Sequence, residues 1–297
     1  MVAYAVEKVE PVCLTAGEPL KSMDWMSPFV WQRESKLWLM MRGVPNPLGV
    51  DDPTGIIWCG CSDDGLNFKM DEKPAILPGP EKIDAGGVED PTVEPTGDGL
   101  YVFFTGVEAG RRQGSLLLAT GKDIYSLEKR KVVLKAAEGE GNIKEATLFQ
   151  AADGSWRLFY EFARDNASRI GMASGPKLGA EWTATEEMIP IREDSWDNWH
   201  LSPGPIVQCP DRDPVMFYNG ATVDARWRIG WVTFNRDCES ITDRGVEPML
   251  VPPPATDRAA TDIAFAASAI LQPDGTIHLY YSLEDRMLSR ALIRAYD

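Results

Sequence analysis

Four carboxylates draw attention by their neighbours and their spacing. They are Glu89 and Asp90 in Gly86-Gly87-Val88-Glu89-Asp90-Pro91, Glu145 in Lys144-Glu145-Ala146-Thr147, and Glu161 directly after Trp156-Arg157-Leu158-Phe159-Tyr160. Two carboxyl groups facing one cavity are what cleavage of a glycosidic bond requires. One keeps its proton and gives it to the leaving oxygen, while the other activates water or attacks the sugar. Asp90, Glu145 and Glu161 are therefore the candidate catalytic residues. Asp24, Trp25, Arg42, Glu89, Thr105, Lys144, His200, Asn219, Asp262 and Glu284 stand at matching places elsewhere and are candidates for holding a sugar. Trp196 and Trp199 add two aromatic faces. Other chemistries find little support: the chain has no P-loop, dinucleotide fingerprint, GxSxG elbow or EF-hand loop. Its two histidines, His200 and His278, leave Cys59 and Cys61 without partners for a zinc site. No cofactor and no metal are expected, although a carboxylate cluster can hold a Ca²⁺ ion without any linear motif.

The elements that must position these residues come from a repeat. Five short apolar runs end in a polar residue: LWLMM before Arg42, LYVFF before Thr105, WRLFY before Glu161, VMFY before Asn219 and IHLYY before Ser282. The polar residues lie 63, 56, 58 and 63 positions apart. Ahead of each run is a turn rich in Gly or Asp, such as Gly97-Asp98-Gly99 and Asp274-Gly275, and behind it a third strand-like run such as IIWCGCS from Ile56. Short runs of aromatic and β-branched residues between turns are strand chemistry. The expected fold is all-β, a five-bladed β-propeller forming a single domain over residues 1–297. The strand-like segment 3–14 belongs to no blade and is expected to close the last one. The irregular stretch Thr183 to His200 is expected to cover one rim of the channel.

The chain carries 45 acidic against 30 basic residues, a net charge of -15. Such a surface repels phosphate backbones and anionic lipid, so neither nucleic acid nor a membrane is an expected partner. No apolar run approaches the ~20 residues of a membrane helix. The N-terminus has no basic segment followed by a long apolar core, so no signal peptide is expected. Five scattered cysteines suit reduced thiols and a cytoplasmic location better than a disulfide framework. Lys129-Arg130-Lys131 reads as a solvated strand edge and Arg111-Arg112 as a loop above the channel that could meet an anionic substituent.

At these residues a resemblance becomes visible. Gly86 to Pro91 resembles the G-x-E-D-P motif of glycoside hydrolase family 130, in which the aspartate is the general acid of β-mannoside phosphorylases and β-mannosidases. The strand ending in Arg42 resembles the family's strand with a sugar-contacting arginine, and Ser62 to Phe68 is similar to its S-x-D-G-x-x-F turn. Lys144 to Phe149 also resembles the general-acid strand of family 43, a relative with family 32 in the same five-bladed superfamily. Three positions depart from the phosphorylases: Thr92 stands where they carry arginine, Tyr160-Glu161 where they have His-Arg, and Tyr218-Asn219-Gly220 where they have Tyr-His-Gly. A phosphate dianion needs clustered cations, so lost cations and a gained carboxylate favour water as acceptor. The resemblance thus implies an inverting hydrolase of small β-mannosides, with Asp90 as acid and Glu145 or Glu161 as base. The alternatives are a phosphate-dependent mannoside phosphorylase, a family 43-like furanosidase and a non-catalytic sugar-binding propeller. An oligosaccharide is the one partner expected.

Overall fold

A computed structural model describes residues 2–111, 113–185, 187–253 and 262–296. Among these, strands dominate; the only helical element is the 3₁₀ turn Leu20–Ser22. Among the described residues no helix is long and apolar enough to cross a membrane. The strands form five antiparallel meanders. The first runs Met23–Arg33, Lys36–Pro45, Ile56–Ser62, Asn67–Met70, and the second Gly87–Thr96, Gly99–Val107, Gly114–Gly121, Glu128–Leu134. The third is Gly141–Gln150, Trp156–Arg164, Ala167–Gly175, Thr183–Thr185. The fifth is Ala264–Leu271, Ile277–Leu283, Met287–Tyr296.

The fourth meander is split into two sheets. His200–Ser202, Asn219–Ala221 and Arg228–Ile229 form one half, while Ile206–Val207, Val215–Met216, Val232–Phe234 and Ile241–Arg244 form the other. The break falls at Pro203-Gly204-Pro205, where two prolines remove ladder donors. Gly204 lies so close to the Phe217 carbonyl that a Cβ would sit 1.8 Å from its oxygen, so no larger residue fits.

The first strands touch in ring order, each meander against the next and the fifth back against the first. The result is a propeller-like fold. The apolar core lies in five wedges, one at each junction. Met40, Val88 and Phe104 fill the one between meanders one and two, and Phe103, Leu158 and Phe162 the next. Polar side chains close the ring inside these wedges. Ser27 Oγ donates to Asp90, Thr92 Oγ1 to the Ala146 carbonyl, and Thr147 Oγ1 to the Gly204 carbonyl. Asn219 exchanges two bonds with the Ala266 backbone, and Ser268 accepts from Val30 N–H and donates to the Pro28 carbonyl. Every junction thus has a side-chain hydrogen bond, and at all but the first to second it satisfies backbone groups the ladders leave over.

The N-terminal segment divides its work. Ala3–Pro11 pairs antiparallel with Met287–Tyr296 as the outer strand of the fifth meander. Cys13–Thr15 instead pairs in parallel with Asn67–Lys69 on the outer edge of the first. The segment expected to close one sheet therefore bridges two. The stretch from Thr183 also differs from expectation. Thr183–Thr185 is the outer strand of the third meander, and the following strap is locked onto the fourth. Fully buried Asp197 accepts two bonds from Arg192, one from Arg244 and one from Tyr218 Oη at 2.6 Å.

Candidate active site

The candidate residues are aimed by three matched irregularities. In the first meander Met26 lies opposite Arg42 and Phe29 opposite Met40, so one extra residue is squeezed into the first strand. The same extra residue appears in the second meander between the pairs Glu89–Thr105 and Thr92–Phe103. It recurs in the third between Lys144–Glu161 and Thr147–Phe159. These are β-bulges, which turn a side chain out of the pleat's alternation. Each places one residue in the left-handed region: Ser27 at φ 51°, Asp90 at φ 50° and Glu145 at φ 51°. None is glycine, so each carries backbone strain on the order of 1–3 kcal/mol that the surrounding sheet must hold. All three face one cavity of about 170 Å³, together with Arg42, Lys144, Glu161, Asp285, Met26, Ser282, Trp227, Ile263 and Phe265. The cavity lies at the ends of the second strands. A larger one, about 660 Å³, lies at the opposite end between turns of meanders four and five and gathers none of these residues.

The electrostatics divide the carboxylates into two sets. Glu89 is buried and accepts from Arg42 at 2.8 Å and from Lys144 at 3.1 Å. Burial opposes its charge, but the two cations outweigh it and hold the carboxyl below the ordinary glutamate value. Burial likewise works against Lys144, and Glu89 and Asp90 hold its ammonium charged. Arg42 is also anchored by two bonds to the Thr54 carbonyl. Both cations bind Glu89, and Arg42 also reaches Asp90 Oδ1 at 3.7 Å.

Glu145 lacks that compensation. Burial, then the charges of Asp90 and Glu161, push it well above the ordinary range. Burial raises Glu161 too, while Ser168 Oγ donates to it at 2.8 Å and fixes its orientation. Burial also raises Asp285. Asp90 accepts from Ser27 Oγ at 2.7 Å, and its second oxygen is buried without a partner among the described residues. An unmatched buried acceptor is costly, and here it belongs to a residue that lines the cavity. Among the described residues no group of three or more His, Cys, Asp or Glu is arranged to hold a metal.

The structure brings together Arg42, Glu89, Asp90, Lys144, Glu145 and Glu161, and leaves several other expected residues outside. Trp25 donates its indole N–H to the Leu20 carbonyl and packs in an apolar wedge. Asp24 accepts from Asn46 near the surface, Asp262 pairs with Arg226, and Glu284 pairs with Arg286. Thr105 is fully buried beneath the cavity, and Asn219 is fully buried with its amide spent on ring closure. Trp196 stacks on Tyr218 at 5.6 Å, away from the channel. His200 flanks the site: its Nδ1 accepts from Ser168 N–H, and burial keeps the ring neutral. Arg111 clamps the loop carbonyls of Gly49 and Asp52, and Arg112 lies outside the described residues. Sequence reasoning missed Ser27, Trp227, Phe265 and the cavity-facing role of Asp285. The sole signal was that Ser27 matches Asp90 and Glu145 one residue past their second-strand partners.

Comparisons with known proteins bear on this geometry. A model of glycoside hydrolase family 130, described as β-1,4-mannooligosaccharide phosphorylase, matches residues 51–294. A β-1,2-mannobiose phosphorylase from Listeria innocua is 28% identical over 243 residues, 77% of this chain but only 63% of that protein's length. A second, from Thermoanaerobacter sp., is 24% identical over 294 residues, 93% of each chain. The Listeria enzyme's structure with β-1,2-mannobiose superposes with a TM-score of 0.76 at 20% identity, covering 96% of this chain and 90% of that one. Another structure superposes with a TM-score of 0.74 at 20% identity, covering 91% of this chain and 84% of that one. It was solved under the statement that this family of mannoside phosphorylases contains glycoside hydrolases that target β-1,2 mannosidic linkages in Candida mannan. The curated relatives' names side with phosphorolysis, the alternative in the sequence reading, rather than with the hydrolysis it put first.

Proposed function

The chain belongs to glycoside hydrolase family 130, and from that premise we propose that it breaks the β-mannosidic bond of a small oligosaccharide, with a β-1,2 linkage as the first candidate. The family match removes the support for a family 43-like furanosidase. We take the five meanders as the five blades of one propeller, with the reaction at the mouth of its channel.

A sugar enters the cavity with its leaving oxygen toward Asp90 and Glu145. That pair supplies the proton, and burial beside Asp90 and Glu161 raises the hold of Glu145 on it. Glu161, aligned by Ser168, acts as the base that prepares the acceptor on the opposite face, so the product inverts. Arg42 and Lys144, held in place by Glu89, form part of the cavity wall and meet the sugar hydroxyls.

Water is the acceptor that the geometry supports. The observation that carries this reading is that Arg42 and Lys144 are both bound to Glu89, while Asp90, Glu145, Glu161 and Asp285 line the same cavity. Arg42 and Lys144 line that cavity too, but both are already paired with carboxylates, so a dianion there would have to compete for its cations. Orthophosphate is the second reading, favoured by the names of both curated relatives. Product analysis on β-1,2-mannobiose, with and without orthophosphate, separates the two. Free mannose formed at the same rate in both conditions supports hydrolysis. Mannose 1-phosphate formed only with orthophosphate replaces it with phosphorolysis. Inertness toward every manno-oligosaccharide in both conditions overturns the catalytic proposal itself.

A further inference from the structure

We propose that Trp227 is the platform on which the sugar on the leaving side of the bond stacks, and so sets what may follow the mannosyl unit; this rests on the β-mannoside reading above. The cavity of about 170 Å³ is smaller than the ~300–1,000 Å³ of sites that enclose drug-sized ligands. It has room for about one sugar ring, and the rest of a substrate must rise past the rim. Trp227 is at that rim, on the loop joining the second and third strands of the fourth meander, and lines the cavity with Ile263 and Phe265.

Three features distinguish it from a packing residue. Its backbone is pinned across the junction of meanders four and five: Trp227 N–H donates to the Asp262 carbonyl, and its own carbonyl accepts from Ala264 N–H. Its ring is held from two sides, by His200 with centroids 5.4 Å apart at 34° and by Phe265 at 5.2 Å and 63°. Yet the residue is half-exposed and belongs to none of the five apolar wedges. An indole fixed this firmly beside a polar cavity presents an immobile apolar face, the surface that matches the C–H side of a pyranose. His200 carries the arrangement inward. Its Nδ1 accepts from Ser168 N–H, and the same Ser168 donates to Glu161, so His200 and Ser168 together tie the Trp227 ring to the catalytic cluster.

The test compares wild type, Trp227→Ala and Trp227→Phe on β-1,2-mannobiose and on methyl β-mannoside, whose leaving group is too small to reach the platform. For Trp227→Ala we expect KM for mannobiose to rise about tenfold, with a markedly smaller loss on methyl β-mannoside. Trp227→Phe should recover most of the mannobiose affinity, and its far-UV spectrum controls for folding. An unchanged mannobiose KM, or an equal loss on both substrates, overturns the platform while leaving the mannoside reading intact. If wild type is inert on both substrates the mannoside reading falls first. Calorimetric titration of a disaccharide panel then decides the platform separately. A disaccharide that binds wild type about tenfold more tightly than Trp227→Ala sustains it, and equal or absent binding overturns it.

Discussion

Replacing Glu89 with glutamine tests the charge arrangement on which the functional reading depends. Glutamine keeps the shape and can still accept hydrogen bonds, but it leaves Arg42 and Lys144 without their shared counter-charge. The two contacts are 2.8 and 3.1 Å long, and Glu89 is 2% exposed. At an effective dielectric near 20, such distances correspond to gross attractions of ~5–6 kcal/mol each. Desolvation offsets much of this, and removing one member of a buried pair has a net cost of about 3–5 kcal/mol. For a chain of this length, that lowers Tm by on the order of 10 °C at neutral pH. The pH dependence gives the sign check. The folded Glu89 carboxyl sits below its ordinary value of 4.5. Its stabilisation is therefore complete above that value and disappears as pH falls through the lowered one. Calorimetric scans of wild type and Glu89→Gln from pH 3 to 8 should show a gap that is constant above about pH 5 and closes in acid. A second readout follows from the two released cations: the variant should be inhibited by orthophosphate at concentrations that leave wild type unaffected. A Tm within about 2 °C of wild type across this range would refute the reasoning, because the pair would then contribute nothing net.

Three further outcomes are expected. Asp90→Asn should lower kcat on mannobiose by about 10²–10⁴-fold with little change in Tm, measured by product release and thermal scanning. The rate should follow a bell-shaped pH profile. Its acid limb lies above the ordinary carboxylate range because Glu161 must ionise from a raised value, and its alkaline limb comes from loss of the Glu145 proton; Glu161→Gln should abolish the acid limb in initial-rate measurements. Asn219→Ala should lower urea stability by about 1–3 kcal/mol, since it strands the Ala266 N–H and two carbonyls at a buried junction.

Much of this arrangement is legible in the sequence, and the limits have physical causes. The five turn-and-strand units could be read because tight hairpins select Gly and Asp, and because a buried pleat selects runs such as LYVFF and WRLFY. Asp90 and Glu145 could be read as equivalent because each stands at the start of a repeat. The bulges that aim them could not, since a left-handed bulge at Ser27, Asp90 or Glu145 uses residues that composition does not mark. Asn219 shows a second limit. Its place at a second-strand end matches Arg42 and Glu161, but the broken fourth meander drops it below the cavity, where its amide joins two sheets. Thr92 and Asn219, read as lost phosphate contacts, are used for ring closure in the fold. Trp227 was passed over because nothing in Ala225-Arg226-Trp227-Arg228 separates a rim aromatic from a packed one.

The bridging N-terminal segment has a consequence for how the protein is made. Ala3 lies opposite Tyr296 and Pro11 opposite Ser289, so this strand leaves the ribosome about 280 residues before its partner. At ~5–20 residues per second that wait is on the order of tens of seconds, during which the nascent chain displays an unpaired β-edge. The exposed letters of the strand suit it to the delay: Glu7, Lys8 and Glu10 place charges along the segment that would otherwise recruit a neighbouring chain. The two glutamates later accept from Arg294 and Arg290 on the partner strand, so groups that keep the early strand solitary also select its eventual partner.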